Sequence, residues 1–255
     1  MTLFVTEAIV LHVLDYLESS RIVRLATREA GVQSVIAKGA RRPKNRFGAA
    51  LDLFAQGSAQ FVMRPGRDLH TLTGFDLFRA RTALAAVLSR FTGAAALAEL
   101  ALRFAHEDAS PEVFETLADG LDDLAAAEPE RARDVAIGGA WRLVAALGFA
   151  PSLDGCAICH RAVGGGETVY FHHRAGGVLC PQCSRQYGGG RPIPADALAA
   201  LRAWLGGELA MPLDARAARA HQRLLQEFVR EHLADARPLR AFESWARGSL
   251  EEAAR

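Results

Sequence analysis

The chain has 255 residues, half of them hydrophobic, and a formal net charge of +1. This composition supplies a sizeable packed core and excludes an intrinsically disordered chain. No stretch approaches the roughly 18 uncharged apolar residues of a membrane-spanning helix, and the N-terminus lacks the positive leader of a secretory signal, so we expect a cytoplasmic protein.

Charge is distributed unevenly along the chain. Residues 1–81 contain twelve Arg and Lys against seven Asp and Glu, whereas residues 82–152 contain five against eleven. Such a separation suggests modules with different partners, the first partner being anionic. Ordinary variation of surface charge accounts for the asymmetry equally well.

The first 80 residues predict a small all-β module. Five short segments are rich in β-branched and aromatic residues and are broken by Gly, Pro or Ser. They are AIVLHVLDY, RIVRLATREAG, VQSVIAKGAR, FAQGSAQFVMR and DLHTLTGFDLF. Four to six strands in about 80 residues suit a small closed barrel or a sandwich.

The pattern becomes helical near Arg81. TALAAVLSRFTGAAALAELALRFAHED predicts one long helix, and Ser110 followed by Pro111 predicts the start of a second. A third helix spans roughly residues 132–147 and ends at Gly148. Helical periodicity resumes at 195–205 and 214–234, and we expect these segments to pack on the central helices. The acidic residues here form a solvated surface or a docking face for a basic partner.

Two CxxC pairs lie between the helical segments. The predicted ligands are Cys156, Cys159, Cys180 and Cys183, and twenty residues separate the pairs. Two cysteines that flank a tight turn direct both sulfurs to one centre, and two such knuckles complete a tetrahedron around Zn²⁺. The intervening GETVYFHHRAGGVLC predicts a hairpin with little core of its own, which the metal would hold together.

Alternatives to one structural Zn²⁺ per chain remain. Two disulfides need an oxidising compartment, an iron–sulfur cluster also accepts four cysteines, and a redox dithiol leaves the second pair unexplained. His160, His172 and His173 lie nearby, and we interpret them as surface or hairpin residues. Four cysteine ligands leave no open coordination position, so we do not expect the metal to be catalytic.

A cationic segment joins two predicted strands. Residues 38–46 contain five cations and no acid, and both lysines of the protein lie here. Gly, Pro and Asn predict a loop, which suits contact with phosphates. A merely solvated turn is the alternative. The cations are Lys38, Arg41, Arg42, Lys44 and Arg46.

Other residues extend this prediction less directly. Proteins that bind single strands add aromatic side chains on which bases stack, and four strand phenylalanines are candidates, although core positions are the more common use. These are Phe47, Phe54, Phe61 and Phe75. Four arginines are further candidates for the basic surface. These are Arg21, Arg24, Arg64 and Arg67.

Sequence signatures of catalysis are missing. A nucleotide-hydrolysing P-loop needs Gly-Lys followed by Ser or Thr, but the two lysines follow Ala37 and Pro43. The chain contains no HExxH helix, no G-x-S-x-G elbow and no cysteine beyond the two pairs. We therefore predict a protein that is not an enzyme.

The chain resembles the RecO family of bacterial recombination mediators, in the subset that has a zinc ribbon. The similarity covers nearly the whole chain. It is carried by VIAKGARRPKNRFGAALDLF, by LGFAPSLDGCAICHRAVGGG, and by VLCPQC followed by helices ending in RLLQEFVREHLADARPLRAFESW. The chain departs from the family pattern at His160, where a glycine usually follows the second cysteine.

The resemblance implies an OB-fold, binding to single- and double-stranded DNA, and annealing of complementary strands. It also implies partnership with RecR, contact with the single-strand-binding protein, and help in placing the RecA recombinase on coated strands. By the same resemblance the DNA role falls on Lys38, Arg41, Arg42, Lys44 and Arg46, and the metal role on the four cysteines.

We therefore predict an α+β protein with three parts. An OB-fold β-barrel occupies residues 1–80, a helical domain occupies 81–152 and 191–255, and a four-cysteine zinc ribbon is inserted at 153–190. The expected function is that of a non-enzymatic, DNA-binding recombination mediator. The alternative is a protein-interaction scaffold whose barrel and ribbon contact proteins. A zinc-dependent hydrolase would need an open metal site, which four cysteines do not leave.

Overall fold

The computed structural model describes residues 2–48, 50–63, 66–105, 108–163, 167–208, 212–233 and 238–251, with side chains up to Trp245. Five strands in the N-terminal third form a closed barrel in the order β1-β2-β3-β5-β4. The strands are β1 Thr2–Tyr16, β2 Ser20–Thr27, β3 Gly31–Ala37, β4 Gln56–Met63 and β5 Leu69–Arg79. All five predicted strands are present.

The strand β1 is long enough to pair with two neighbours, and this double pairing helps to close the barrel. Its first half pairs with β4 and its second half pairs with β2, with an irregularity in the register between Val10 and His12. The remaining gap is closed by β3 and β5, which run parallel. This arrangement is a five-stranded OB-type barrel, as the resemblance implies, and not the sandwich that the strand pattern also allowed. Alternating residues fill its interior, among them Val10, Val23 and Phe61.

The helical part contains α1–α3 after the barrel and α5–α7 after the cysteines. Their bounds are α1 Leu88–Phe104, α2 Pro111–Ala126, α3 Ala132–Val144, α5 Ala195–Leu205, α6 Ala215–Leu233 and α7 Arg240–Glu251. As predicted, α5 and α6 pack on the central helices, both of them on α3. The last helix, α7, was not predicted, and it packs on α1. Gly148, with φ 92°, ends the third helical segment at the predicted residue.

The single long helix predicted after Arg81 is wrong. The segment instead contains a short 3-10 turn at Thr82–Leu84 and then α1, which begins at Leu88. The backbone leaves the helical conformation on both sides of the break. Arg81 adopts a left-handed conformation with φ 46°, and Val87 is extended with φ −132°. Leu84 is buried within the break, so tertiary packing overrides the local helical propensity of this Ala-rich segment.

The cysteine segment forms a three-stranded sheet and a short helix. The predicted hairpin is present as β6 Val169–His172 and β7 Gly177–Leu179. Two elements were not predicted, namely α4 Pro181–Tyr187 and β8 Arg191–Ile193, which pairs with β6. Because β8 is an edge strand, it tolerates Pro192, which lacks an N–H.

Arginines of the barrel contact the acidic helical segment. Asp122 of α2 accepts hydrogen bonds from Arg79 and from Arg81, the latter with Nε at 2.6 Å from Oδ1. Arg28 Nη1 lies 2.5 Å from Glu115 Oε1 on the same helix. The basic partner that docks on these two acidic residues is therefore the barrel of the same chain.

His221 is a buried histidine of the helical domain. It is 3% exposed, its ring meets Trp204 edge to face at 4.9 Å, and neither ring nitrogen has a hydrogen-bond partner. Burial lowers the pKa of His221 from 6.5 to about 4, against the opposing effect of the Asp196 carboxylate. The folded protein therefore keeps this imidazole neutral at pH 7.

We expect His221 to weaken the fold as the pH falls. Between about pH 6.5 and 4 the unfolded chain binds the extra proton, so stability is lost as the pH falls through this window. From pH 7.5 to pH 5 the wild type should lose about 2 kcal/mol more than a His221→Phe variant, which keeps the aromatic contact. Urea unfolding at both pH values measures this difference, and equal losses in the two proteins would rule out His221 as the source.

Candidate nucleic-acid interface and metal centre

The basic loop leaves the barrel after β3 and is built from consecutive turns. The Arg42 N–H donates to Gly39 O at 3.0 Å, and the Asn45 N–H donates to Arg42 O at 3.1 Å. Asn45 Oδ1 accepts from the N–H groups of Phe47 and Gly48 at 2.9 and 2.8 Å. Phe47 is buried in the barrel core. The loop is thus an ordered structure anchored at its far end.

All five predicted cations of this loop are exposed. Arg41 is tied to the neighbouring β1–β2 turn, since its Nη1 donates to Leu17 O at 3.1 Å and its Nε lies 3.4 Å from Asp15. Arg46 Nη2 donates to Leu72 O at 3.3 Å. In the described residues, Lys38, Arg42 and Lys44 have no carboxylate within ion-pair distance.

The four phenylalanines named as stacking candidates do not serve that purpose. Phe47, Phe54, Phe61 and Phe75 are all buried, with exposed fractions of 7% or less. They are core residues, in keeping with the more common use of phenylalanine in strands. An aromatic residue in a strand therefore says little about stacking until the orientation of the strand is known.

The additional arginines contribute unevenly to a basic surface. Arg21 pairs with Asp15 at 3.3 Å. Arg24 is half-buried, donates to Leu102 O at 3.4 Å, and has its pKa lowered by that burial. Arg67 is exposed, and Arg64 lies outside the described residues. The cationic surface therefore centres on the loop itself.

The four predicted cysteine ligands converge on one point. Their sulfurs all lie within 4.8 Å of one another, and Cys159 Sγ is 3.9 Å from Cys180 Sγ. All four thiols are free, which contradicts the disulfide alternative. Among the described residues, the group of possible metal ligands contains these four cysteines and no histidine. The geometry is that of a closed, four-sulfur metal site.

Backbone N–H groups shape both knuckles. The first is a turn in which the Cys156 N–H donates to Arg161 O at 2.8 Å and the His160 N–H donates to Cys156 O at 2.9 Å. In the second, Cys180 caps α4, because its Sγ accepts from the Cys183 N–H at 3.5 Å. Pro181 then occupies the first helical position, where no N–H is needed.

This environment shifts the pKa values of the cysteine thiols in different directions. Burial raises the pKa of Cys156, but nearby backbone N–H groups outweigh it and bring the value to about 6. The Cys183 N–H likewise lowers the pKa of Cys180. Burial and the neighbouring sulfurs raise the pKa of Cys183 to about 12. Two thiols are thus more acidic than an ordinary cysteine, and the cluster suits a cation that would ionise the others.

His160 lies at the position where the resemblance to the RecO family implies a glycine. Its φ is 59°, in the left-handed region that glycine adopts without strain. The turn therefore keeps the geometry of a glycine turn with a histidine in place, at a cost of about 1 kcal/mol. The other two histidines have partners elsewhere: His172 Nδ1 accepts from the Ala175 N–H at 3.0 Å, and His173 lies 3.0 Å from Glu227.

None of the described helices is long and apolar enough to span a membrane.

Comparison with known families covers almost the whole chain. Residues 1–81 match the model for the N-terminal part of recombination protein O, and residues 86–241 match the model for its C-terminal part. Three relatives are each named DNA repair protein RecO. The protein from Anaeromyxobacter sp. (strain K) is 38% identical over 231 residues, which cover 88% of this chain and 89% of the relative. The protein from Rubrobacter xylanophilus is 35% identical over 236 residues (91% and 92%), and that from Nocardioides sp. is 34% identical over 238 residues (91% and 95%). The chain therefore belongs to the RecO family of DNA repair proteins.

Proposed function

We propose that this protein binds single- and double-stranded DNA through the basic loop and acts as a recombination mediator without catalytic residues. The observation that carries the proposal is the exposure of all five loop cations, three of which lack a carboxylate partner in the described residues. Concentrated like charge on an ordered loop is unfavourable unless a polyanion neutralises it. Release of counterions from the phosphates would then supply the affinity.

The two anchored arginines and the three other cations have different parts in this proposal. Arg41 and Arg46 hold the loop against the barrel through the carbonyls of Leu17 and Leu72. Lys38, Arg42 and Lys44 would make the phosphate contacts. Neutralising two strands on one surface reduces their repulsion, which is a physical route to annealing. The proposal extends to the loading of RecA onto strands that the single-strand-binding protein coats, with RecR and that protein as partners. The protein would then act in the cytoplasm, associated with the nucleoid during repair.

The salt dependence of binding tests the contact. Each cation that touches a single strand contributes roughly −0.7 to the slope of log K against log [salt], so a Lys38, Arg42, Lys44→Ala variant should flatten the slope by about 2. Fluorescence anisotropy with a labelled oligonucleotide measures both slopes.

A matched control removes three exposed cations from α6, as Arg216, Arg223, Arg230→Ala, and should leave the slope unchanged. Equal flattening in both variants would reflect net charge rather than contact. If the wild type bound no oligonucleotide at low or high salt, the scaffold function would replace this one.

We propose Zn²⁺ as the metal of the cysteine site. Four sulfurs at about 2.3 Å from a tetrahedral zinc lie about 3.8 Å apart, which agrees with the 3.9 Å between Cys159 and Cys180. With four protein ligands, the ion would stabilise the two knuckles and would have no position for a substrate. Metal analysis of the purified protein should find one zinc per chain.

A further inference from the structure

Three apolar side chains are exposed where β1 turns into β2. Leu14 is 53% exposed, Tyr16 is 39% exposed and Leu17 is 74% exposed. Earlier on the same strand, Ile9 and Leu11 are covered by the helical domain. The outer apolar side of β1 is therefore covered along one part and open at its end.

The backbone at this end is held in an unfavourable conformation. Leu17 has a φ of 53°, in the left-handed region that costs a leucine about 1 kcal/mol. The left-handed backbone belongs to the short connection between Tyr16 and Ser20, but the exposure of the Leu17 side chain, at 74%, is a second unfavourable feature that this connection does not require. Such an outlier at an exposed tip points to function when other observations agree.

Arg41 joins this turn to the basic loop. Its N–H donates to Ser19 O at 3.0 Å and its Nη1 donates to Leu17 O at 3.1 Å. Arg41 and Arg21 together neutralise Asp15, which leaves Glu18 as the remaining acid of the turn. The exposed apolar side chains and the cations therefore belong to one fixed surface.

The register extends the apolar surface across the barrel. Leu14 pairs with Ile22, and Ile22 pairs with Ile36, so these side chains share a face with Tyr16. Both isoleucines are partly exposed. Lys38 follows two residues after Ile36. We name Leu14, Tyr16, Leu17, Ile22 and Ile36 the hairpin surface.

We infer that the hairpin surface contacts the unstacked bases of a single strand whose phosphates are held by the basic loop. The inference rests on the proposed DNA binding and adds a preference to it. Single-strand binders combine a cationic track with side chains on which bases stack. Tyr16 supplies the aromatic ring and Leu17 an apolar contact beside it.

The neighbouring charge favours nucleic acid over a protein as the occupant. A partner must offer apolar faces to the hairpin surface and negative charge to the loop within the same short distance. An unstacked strand has both in every nucleotide, whereas a duplex hides its base faces within the stack. The surface therefore distinguishes single strands from duplexes, which the phosphate contacts alone do not do.

A Tyr16→Ser, Leu17→Asn variant tests the inference, because Asn tolerates the left-handed backbone at position 17. Its affinity for an oligo(dT) strand should fall roughly ten- to hundred-fold at every salt concentration, with an unchanged slope of log K against log [salt]. Its affinity for a duplex should change less than about two-fold. Anisotropy titrations of strand and duplex measure both.

A Leu3→Ser, Val5→Ser variant is the matched control, because these residues are 59% and 56% exposed at the other end of β1. It should bind both DNAs as the wild type does. Unchanged strand affinity in the hairpin variant, or equal losses for strand and duplex, would overturn the inference, and the first result would leave the surface to a protein partner. If the wild type bound no DNA at all, the proposed function itself would fail instead.

Discussion

Replacement of Cys180 by serine is expected to release the metal ion and to lower the free energy of unfolding by about 3–5 kcal/mol. Serine is a good helix N-cap and keeps an acceptor for the Cys183 N–H, so the change removes a metal ligand and preserves the start of α4. Metal analysis and urea unfolding measure the two effects.

The loss of stability should spread beyond the ribbon. Phe171 of β6 packs against Trp141 and Phe228, with ring centroids 6.4 and 6.0 Å apart, within the core of the helical domain. Loosening the metal site therefore loosens this core. The barrel has a core of its own, so at temperatures where the variant stays folded the salt dependence of DNA binding should remain that of the wild type.

Gln182→Ser is the matched control for this experiment. Gln182 is exposed between the two cysteines of the same knuckle and lacks a ligand atom for the site. It should keep one equivalent of metal and the wild-type stability. A Cys180→Ser protein that retained both would contradict four-sulfur ligation.

The sequence predicted those features that depend on local patterns. The five barrel strands follow from alternation and from breaks at Gly and Pro, and the cysteine cluster follows from spacing, because a tight CxxC turn fixes where both sulfurs lie. The start of α2 at Pro111 and the end of the third helical segment at Gly148 follow from capping rules.

Features decided by distant contacts were missed. The break between Arg81 and Leu88 depends on burying the Arg81 side chain between the barrel and α2, which no local propensity indicates. β8 was missed because two prolines suppress a strand signal that pairing with β6 restores. The exposed Tyr16 was missed as a candidate for base contact, because its exposure depends on where the helical domain ends along β1.

Arg81 joins the barrel to α2 through hydrogen bonds, and its replacement is the second change with a large expected effect. The Arg81 side chain is 1% exposed, and its guanidinium donates to Asp122 Oδ1 at 2.6 Å, to Phe54 O at 3.0 Å and to Gln56 Oε1 at 2.5 Å. One side chain thus satisfies acceptors from the barrel and from α2. Arg81→Met fills a similar volume but removes the donor to the Phe54 carbonyl and to the Gln56 amide oxygen and leaves Asp122 with Arg79 alone, so we expect the free energy of unfolding to fall by about 3–5 kcal/mol in urea titrations.

An Arg79→Ala variant tests whether the effect of Arg81→Met comes from buried hydrogen bonds or from the ion pair with Asp122. Arg79 donates to the same Asp122 carboxylate, yet its side chain is 57% exposed. Exposed ion pairs contribute about 0–1 kcal/mol, so this variant should stay close to the wild type. Similar losses in the two variants would mean that the charge of Asp122 governs the junction. A large loss confined to Arg81→Met would mean that the buried hydrogen bonds hold the barrel on the helices, and with it the orientation of the basic loop relative to the rest of the protein.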